Sequence, residues 1–111
     1  MVDTRTQRIA KLNDLARTAM GVASTLIQTE GFNALPDADQ SRIRELVETH
    51  KDFTEKNDPY GERDFGVILH NGNKIFWKID YYDKAMENGS EDSSDPAVTT
   101  RVLTIMLAEE Y

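Results

Sequence analysis

The chain contains no cysteine, which excludes a disulfide framework, thiolate catalysis and Cys-held zinc or iron–sulfur centres. No apolar run approaches the roughly 20 residues that a membrane span needs. A glycine-rich phosphate loop is also missing, since Gly61 and Gly66 lead into acidic and apolar residues rather than a helix start. Ser90, Ser93 and Ser94 lie outside any G-x-S-x-G elbow, and no internal repeat is present. The stretch MVDTRTQRIAKL lacks the apolar core of a signal peptide, so a cytoplasmic location is expected.

What the chain has in excess is acid. Its 111 residues, 39% of them hydrophobic, carry 20 Asp and Glu against 13 Lys and Arg, a formal charge of −7. The length fits one domain spanning residues 1–111. Acids and bases balance over residues 1–51, so the whole excess falls in residues 52–111. There Asp83, Glu87, Glu91, Asp92 and Asp95 face only Lys84. Such a surface repels phosphate backbones and attracts basic partners, although an acidic loop can equally serve solubility alone.

Hydrophobic periodicity predicts a first helix on Ile9, Leu12, Leu15, Ala16 and Ala19, opened by a Thr4–Gln7 capping box and stopped at Gly21. Arg5, Arg8, Lys11 and Arg17 then form its solvated face. Residues 22–28 read as a short strand followed by a turn at Gly31, and Pro36-Asp37 opens a helix with a narrow stripe of Ile43, Leu46 and Val47. Two apolar runs flank Asn71-Gly72, the dipeptide of tight type I′ hairpins. A two-residue turn pairs position 70 with 73. Gly66 then lies opposite Trp77, and Ile68, Ile75, Trp77, Ile79 and Tyr81 share one face. Phe65, Val67, Leu69 and Phe76 share the other with Lys74, Lys78, Asp80 and Tyr82. That second face is too apolar for open exposure, and cover by the first helix is expected, contact with another molecule being the alternative.

A loop over residues 83–94, with one helical turn ending at Asn88-Gly89, precedes a last helix capped by Asp95 and Pro96. Its stripe is Val98, Val102, Ile105 and Met106. The expected fold is therefore α+β, in the order α-β-α-β-β-α, with a three-stranded antiparallel sheet and helices packed on it.

Among chemistry-bearing residues, Asp58, Glu62, Asp64 and Asp80 invite a divalent-metal reading. Asp64 falls opposite Ile79, so carboxylates could converge at the open end of the hairpin and hold magnesium or calcium. The spacing fits neither an EF-hand nor an HExxH pair, and Lys78-Ile79-Asp80 reverses the acid-x-lysine order of a restriction-type nuclease. Turn formation by Asp58 and Asp64 is the simpler expectation. His50 and His70 read as surface histidines without a nucleophile beside them. No metal or cofactor is implied.

The stretches NDPYGERDFG, FWKIDYYD and DPAVTTRVLTIMLAEEY resemble a family of small bacterial proteins of unknown function, frequent on plasmids and other mobile elements. The likeness is strong over residues 52–111 and weaker before them. Its motif falls on Asn57, Asp58, Pro59, Gly61, Glu62, Asp64, Phe65, Gly66 and the run Trp77–Tyr82, with Arg63 where relatives often have histidine. The resemblance supplies context and no mechanism. By association, small acidic proteins of mobile elements resemble anti-defence factors. The expected function is thus a non-catalytic, DNA-mimicking inhibitor of the anti-CRISPR or anti-restriction type. Asp80, Tyr82, Asp83, Glu87, Glu91, Asp92 and Asp95 would contact a basic surface of a protein or nucleoprotein complex. Direct nucleic-acid binding, including through Arg5, Arg8 and Arg17, and membrane association are not expected. The chain itself is expected to be a monomer or weak homodimer. The alternative is a metal-dependent hydrolase or nuclease built on Asp58, Glu62, Asp64 and Asp80.

Overall fold

A computed structural model describes residues 4–111; Met1–Asp3, which open the stretch read above for a leader, lie outside them. Among the described residues no helix is long and apolar enough to cross a membrane. The elements run α1 (Thr4–Thr18), β1 (Thr25–Gln28), α2 (Glu30–Asn33), α3 (Asp37–Glu48), β2 (Phe65–His70), β3 (Asn73–Tyr82) and β4 (Thr100–Leu107), then a 3₁₀ turn at Ala108–Glu110. The fold is α+β as expected, but the sheet has four strands in the order β1-β4-β3-β2. It is mixed rather than antiparallel, because β1 runs parallel to β4.

The hairpin forms in the register that its turn dictates. His70 pairs with Asn73 and Gly66 with Trp77. Asn71 (φ 48°) and Gly72 (φ 79°) take the left-handed conformations of a type I′ turn. Gly66 is obligatory here, since a Cβ would lie 2.2 Å from Trp77 Nε1. The indole occupies that space fully buried, its N–H without a hydrogen-bond partner among the described residues.

The last helix does not exist; residues 100–107 are β4, inserted between β1 and β3. Arg101–Met106 are all buried in this central strand, Arg101, Leu103 and Ile105 on the Trp77 face and Val102, Thr104 and Met106 on the other, with β1 and β3 flanking both. A strand of that kind reads as a continuous apolar run, and here it mimics a helical stripe by chance. The β-branched residues Thr100, Val102, Thr104 and Ile105 were the better signal. Asp95 does not cap a helix either; its carboxylate accepts the Ala97 N–H (2.9 Å) in a local turn. Asn88-Gly89 likewise ends a turn rather than a helix, with Gly89 bridged to Tyr82. The short α2 was missed because Gly31 looked like a turn. It buries Phe32, and the Glu110 carboxylate accepts the Gly31 N–H (2.9 Å) at its start.

All three helices pack on one side. Ala16 of α1, Phe32 of α2 and Ile43 and Val47 of α3 form one core with Ile68, Ile75, Trp77, Ile79, Leu103 and Ile105. The Trp77 face is therefore the core face, as its pattern indicates. The expectation that α1 covers the second face is overturned, because α1 lies on the Trp77 side. Its inward residues are Ile9, Ala10, Asn13, Ala16 and Arg17, a stripe one position away from the Leu12–Leu15 stripe; Leu15 is 52% exposed. Arg17 is accordingly buried and not part of the solvated face.

Candidate functional site

The acidic loop joins β3 to β4, and three of its five acids also build it. The Asp83 carboxylate accepts the Glu87 N–H (3.0 Å). Asp92 Oδ1 accepts both the Ser94 hydroxyl (2.6 Å) and the Ser94 N–H (3.1 Å), and meets Arg5 Nη2 at 3.3 Å. Asp95 holds Ala97 as described. Hydrogen bonds from the Glu87 N–H, and from the Ser94 hydroxyl and N–H, keep Asp83 and Asp92 below the usual carboxylate range. Glu87 and Glu91 are exposed. Asp80 and Tyr82 are elsewhere, on the uncovered sheet face that also carries Phe65, Val67, Leu69, Lys74, Phe76 and Lys78. Asp80 is paired there with Lys78 (2.5 Å), which raises the lysine's pKa. The residues expected to contact a partner thus divide between one loop and one sheet face.

The carboxylates of the NDPYGERD segment turn to different partners. Asp58 accepts the Arg63 N–H (3.2 Å), closing a turn in which Gly61 (φ 72°) and Arg63 (φ 56°) are both left-handed. Glu62 Oε1 accepts the Tyr81 hydroxyl (2.8 Å), while its backbone carbonyl accepts Asn13 Nδ2 (2.9 Å). The Asp64 carbonyl accepts the Ile79 N–H (2.8 Å), which extends the hairpin ladder. Burial, then Glu62, Asp58 and Asp80 nearby, push the Asp64 carboxyl up. Among the described residues no three His, Asp or Glu side chains are grouped to hold a metal ion.

Sequence reasoning missed what this segment is fastened to. Asn13, fully buried, donates from Nδ2 to Tyr81 Oη (2.8 Å) and accepts Arg101 Nε on Oδ1 (2.7 Å). Arg101 also donates to the Ser93 carbonyl and stacks over the Tyr81 ring at 5.0 Å. Beside it, Arg17 donates to the Val47 and His50 carbonyls (2.9 and 3.0 Å) and to Asp14 (2.7 Å). Asp14 in turn holds Arg63 (2.8 Å). Burial lowers the pKa of both Arg17 and Arg101, and raises that of Tyr81. One chain of polar contacts therefore ties α1, the 57–64 segment, β3 and the acidic loop together. The available signal was a pair of polar residues, Asn13 and Arg17, four apart on a helix whose neighbouring positions are Ile9, Ala10 and Ala16.

The histidines are not plain surface residues. His50 packs edge-on against Phe53 (4.8 Å) and Trp77 (5.5 Å), and burial lowers its pKa. His70 Nε2 contacts Asp39 at 2.9 Å. Neither has a serine or threonine hydroxyl bonded to it among the described residues.

The arrangement presents two features, an anionic loop organised by local hydrogen bonds and a partly apolar sheet face. Among families, the one described as "Protein of unknown function (DUF3768)" matches residues 28–110. No curated protein and no solved structure gives a match.

Proposed function

The chain belongs to the DUF3768 family, and from that premise we propose that it is a non-catalytic acidic binding protein that occupies a basic, nucleic-acid-binding surface of a host defence complex. It would act as an inhibitor of the anti-CRISPR or anti-restriction type. The observation that carries this reading is the set of local hydrogen bonds that organises the 83–95 loop. Local hydrogen bonds orient the side chains of Asp83, Asp92 and Asp95, and Glu87 and Glu91 extend from the same loop into solvent. Charges fixed before binding lose less conformational freedom when a lysine- and arginine-rich channel meets them. The mobile-element context of the resembling family supports the partner class by analogy only.

The test is inhibition of DNA cleavage by purified restriction and CRISPR nucleases of the host, at low and high salt. Inhibition should fade with salt, since exposed charge pairs are screened. The double variant Glu87→Gln/Glu91→Gln keeps every turn hydrogen bond described. It should bind several-fold more weakly at low salt, at about 0.2–1 kcal/mol per exposed pair. Inhibition of none of these nucleases, or inhibition indifferent to salt, would refute the proposal.

A further inference from the structure

The chain holds two Asn-Gly pairs, Asn71-Gly72 and Asn88-Gly89, and the fold restrains them differently. A glycine after asparagine has no Cβ to keep its backbone nitrogen away from the asparagine side chain, so this pair is the most prone to succinimide formation. The reaction requires the glycine nitrogen to swing onto the asparagine Cγ. Asn71 has φ 48° in its type I′ turn, and the ψ of roughly +30° in turns of this type carries the next nitrogen away from Cβ. Bringing Gly72 round would break the His70–Asn73 pairing and pull Asn71 Nδ2 from Asp39 of α3 (2.9 Å).

Asn88-Gly89 is held far more lightly. Both residues are exposed, and Asn88 lies outside the left-handed region. No hydrogen bond among the described residues uses the Gly89 N–H. The Asn88 side-chain amide meets the Asp83 carboxylate of its own loop, with no anchor on another element. One bond, from the Asp83 N–H to the Asn88 carbonyl (2.9 Å), steadies the peptide unit. Gly89 also lines an open cleft of about 450 Å³ with Asp83, Lys84, Glu91, Ala97 and Val98, which admits water.

We propose that Asn88 is a self-modification site, at which the acidic loop converts its own amide to a carboxylate. The Gly89 nitrogen attacks Asn88 Cγ and the Cγ–Nδ2 bond breaks. Nδ2 leaves as ammonia with the proton that Gly89 gives up, and a five-membered succinimide remains. Water then adds to one of its two carbonyls. Opening at Cγ gives aspartate, and opening at the main-chain carbonyl gives isoaspartate, with the chain running through Cγ. Either product adds one negative charge between Glu87 and Glu91. Aspartate leaves the backbone as it was. Isoaspartate lengthens it by one carbon and turns the carbonyl that accepts the Asp83 N–H into a free carboxylate.

Conversion needs no partner, so its test is independent of the acidic-loop reading and uses the purified full chain. After incubation in mildly alkaline buffer, trypsin separates residues 64–74, which contain Asn71, from residues 85–101, which contain Asn88. Peptide mass spectrometry should find aspartate and isoaspartate at position 88 accumulating at least tenfold faster than at position 71. Incubation of the chain unfolded in guanidinium should bring the two rates within about threefold, since the turn that protects Asn71 is then gone. In Gly89→Ala the added Cβ would meet the Tyr81 carbonyl at an ordinary 3.9 Å, so the loop is kept. That variant should slow conversion at position 88 by about tenfold or more. Equal or reversed rates at the two sites in the folded chain would overturn the proposal. So would a difference that persists in guanidinium, or conversion at position 88 that Gly89→Ala leaves at full speed.

Discussion

The two faces of the sheet are built by alternate residues of the same strands and have opposite fates. Ile75, Trp77 and Ile79 are sealed under the helices, while Lys74, Phe76 and Lys78 between them face away from any helix. The helices converge on a single face, leaving no helix over the other. The uncovered face instead satisfies itself within its own plane. Lys78 pairs with Asp80, Lys74 sits 5.7 Å from the Phe76 ring centre, and Phe65, Phe76 and Tyr111 meet edge to face. Alternation thus sets which residues share a face, and helix placement decides which face becomes the core.

The largest expected effect tests that division directly. Trp77→Ala should cost about 3–5 kcal/mol, enough to leave little folded protein, because it empties the centre of the core. Phe76→Ala, next along the strand but on the open face, should cost well under half as much by urea denaturation. Equal losses would mean that the faces do not differ as described. The fluorescence of Trp77, the chain's sole tryptophan, should have the blue-shifted maximum of a buried indole. Gly66→Ala comes next, at about 1–3 kcal/mol. Its added methyl collides with the indole, and backbone on one side and core on the other limit relaxation. A Gly66→Ala chain as stable as wild type would show that the indole can move aside.

Legibility in the sequence follows the same physics. The hairpin was readable to the residue because Asn71-Gly72 sets a register through local geometry alone. β4 was not, because its neighbours lie far away in sequence and its double-sided burial erases the alternation that marks a strand. Thr25–Gln28 could be read as a strand, yet its parallel pairing with β4 has no local signature. Of the site, the acids of the 83–95 loop were visible as a charge run, but their role as turn-makers was not. Asn13 showed only through its spacing from Arg17 among apolar neighbours, and Arg101 not at all, because a buried polar residue is recognised chiefly through its partners.

That buried network is the next way to sharpen the comparison between faces. Asn13→Ala leaves Arg101 Nε, Tyr81 Oη and the Glu62 carbonyl each short of one bond, on the covered side where water cannot replace it easily. Unsatisfied buried groups cost about 1–3 kcal/mol. The same truncation logic applied to Lys78–Asp80 on the open face predicts no more than about 1 kcal/mol for Asp80→Ala. Calorimetric melting of the two variants should keep that order. If Asp80→Ala is the more damaging, the open face contributes more than its exposure indicates.

The smallest expected effect is a pH dependence at the rim of the covered face. Burial against Phe53 and Trp77 holds the His50 imidazole below its usual pKa, so the folded chain binds its proton less readily than the unfolded chain does. Stability from this group is then present above the unfolded value of about 6.5 and declines as pH falls through it toward the folded value. Asp64 has the opposite sign in a lower window. Its carboxyl is pushed up, so its contribution is present at the acidic end and disappears as pH rises through the folded value. Comparing wild type with His50→Phe between pH 7.5 and 5.5 isolates the histidine. The wild type should lose a few tenths of a kcal/mol relative to the variant over that interval, because His50 is only partly shielded from solvent. Parallel melting curves for the two proteins would place His50 in water, and with it would go the packing of Phe53 and His50 over Trp77 that closes this edge of the core.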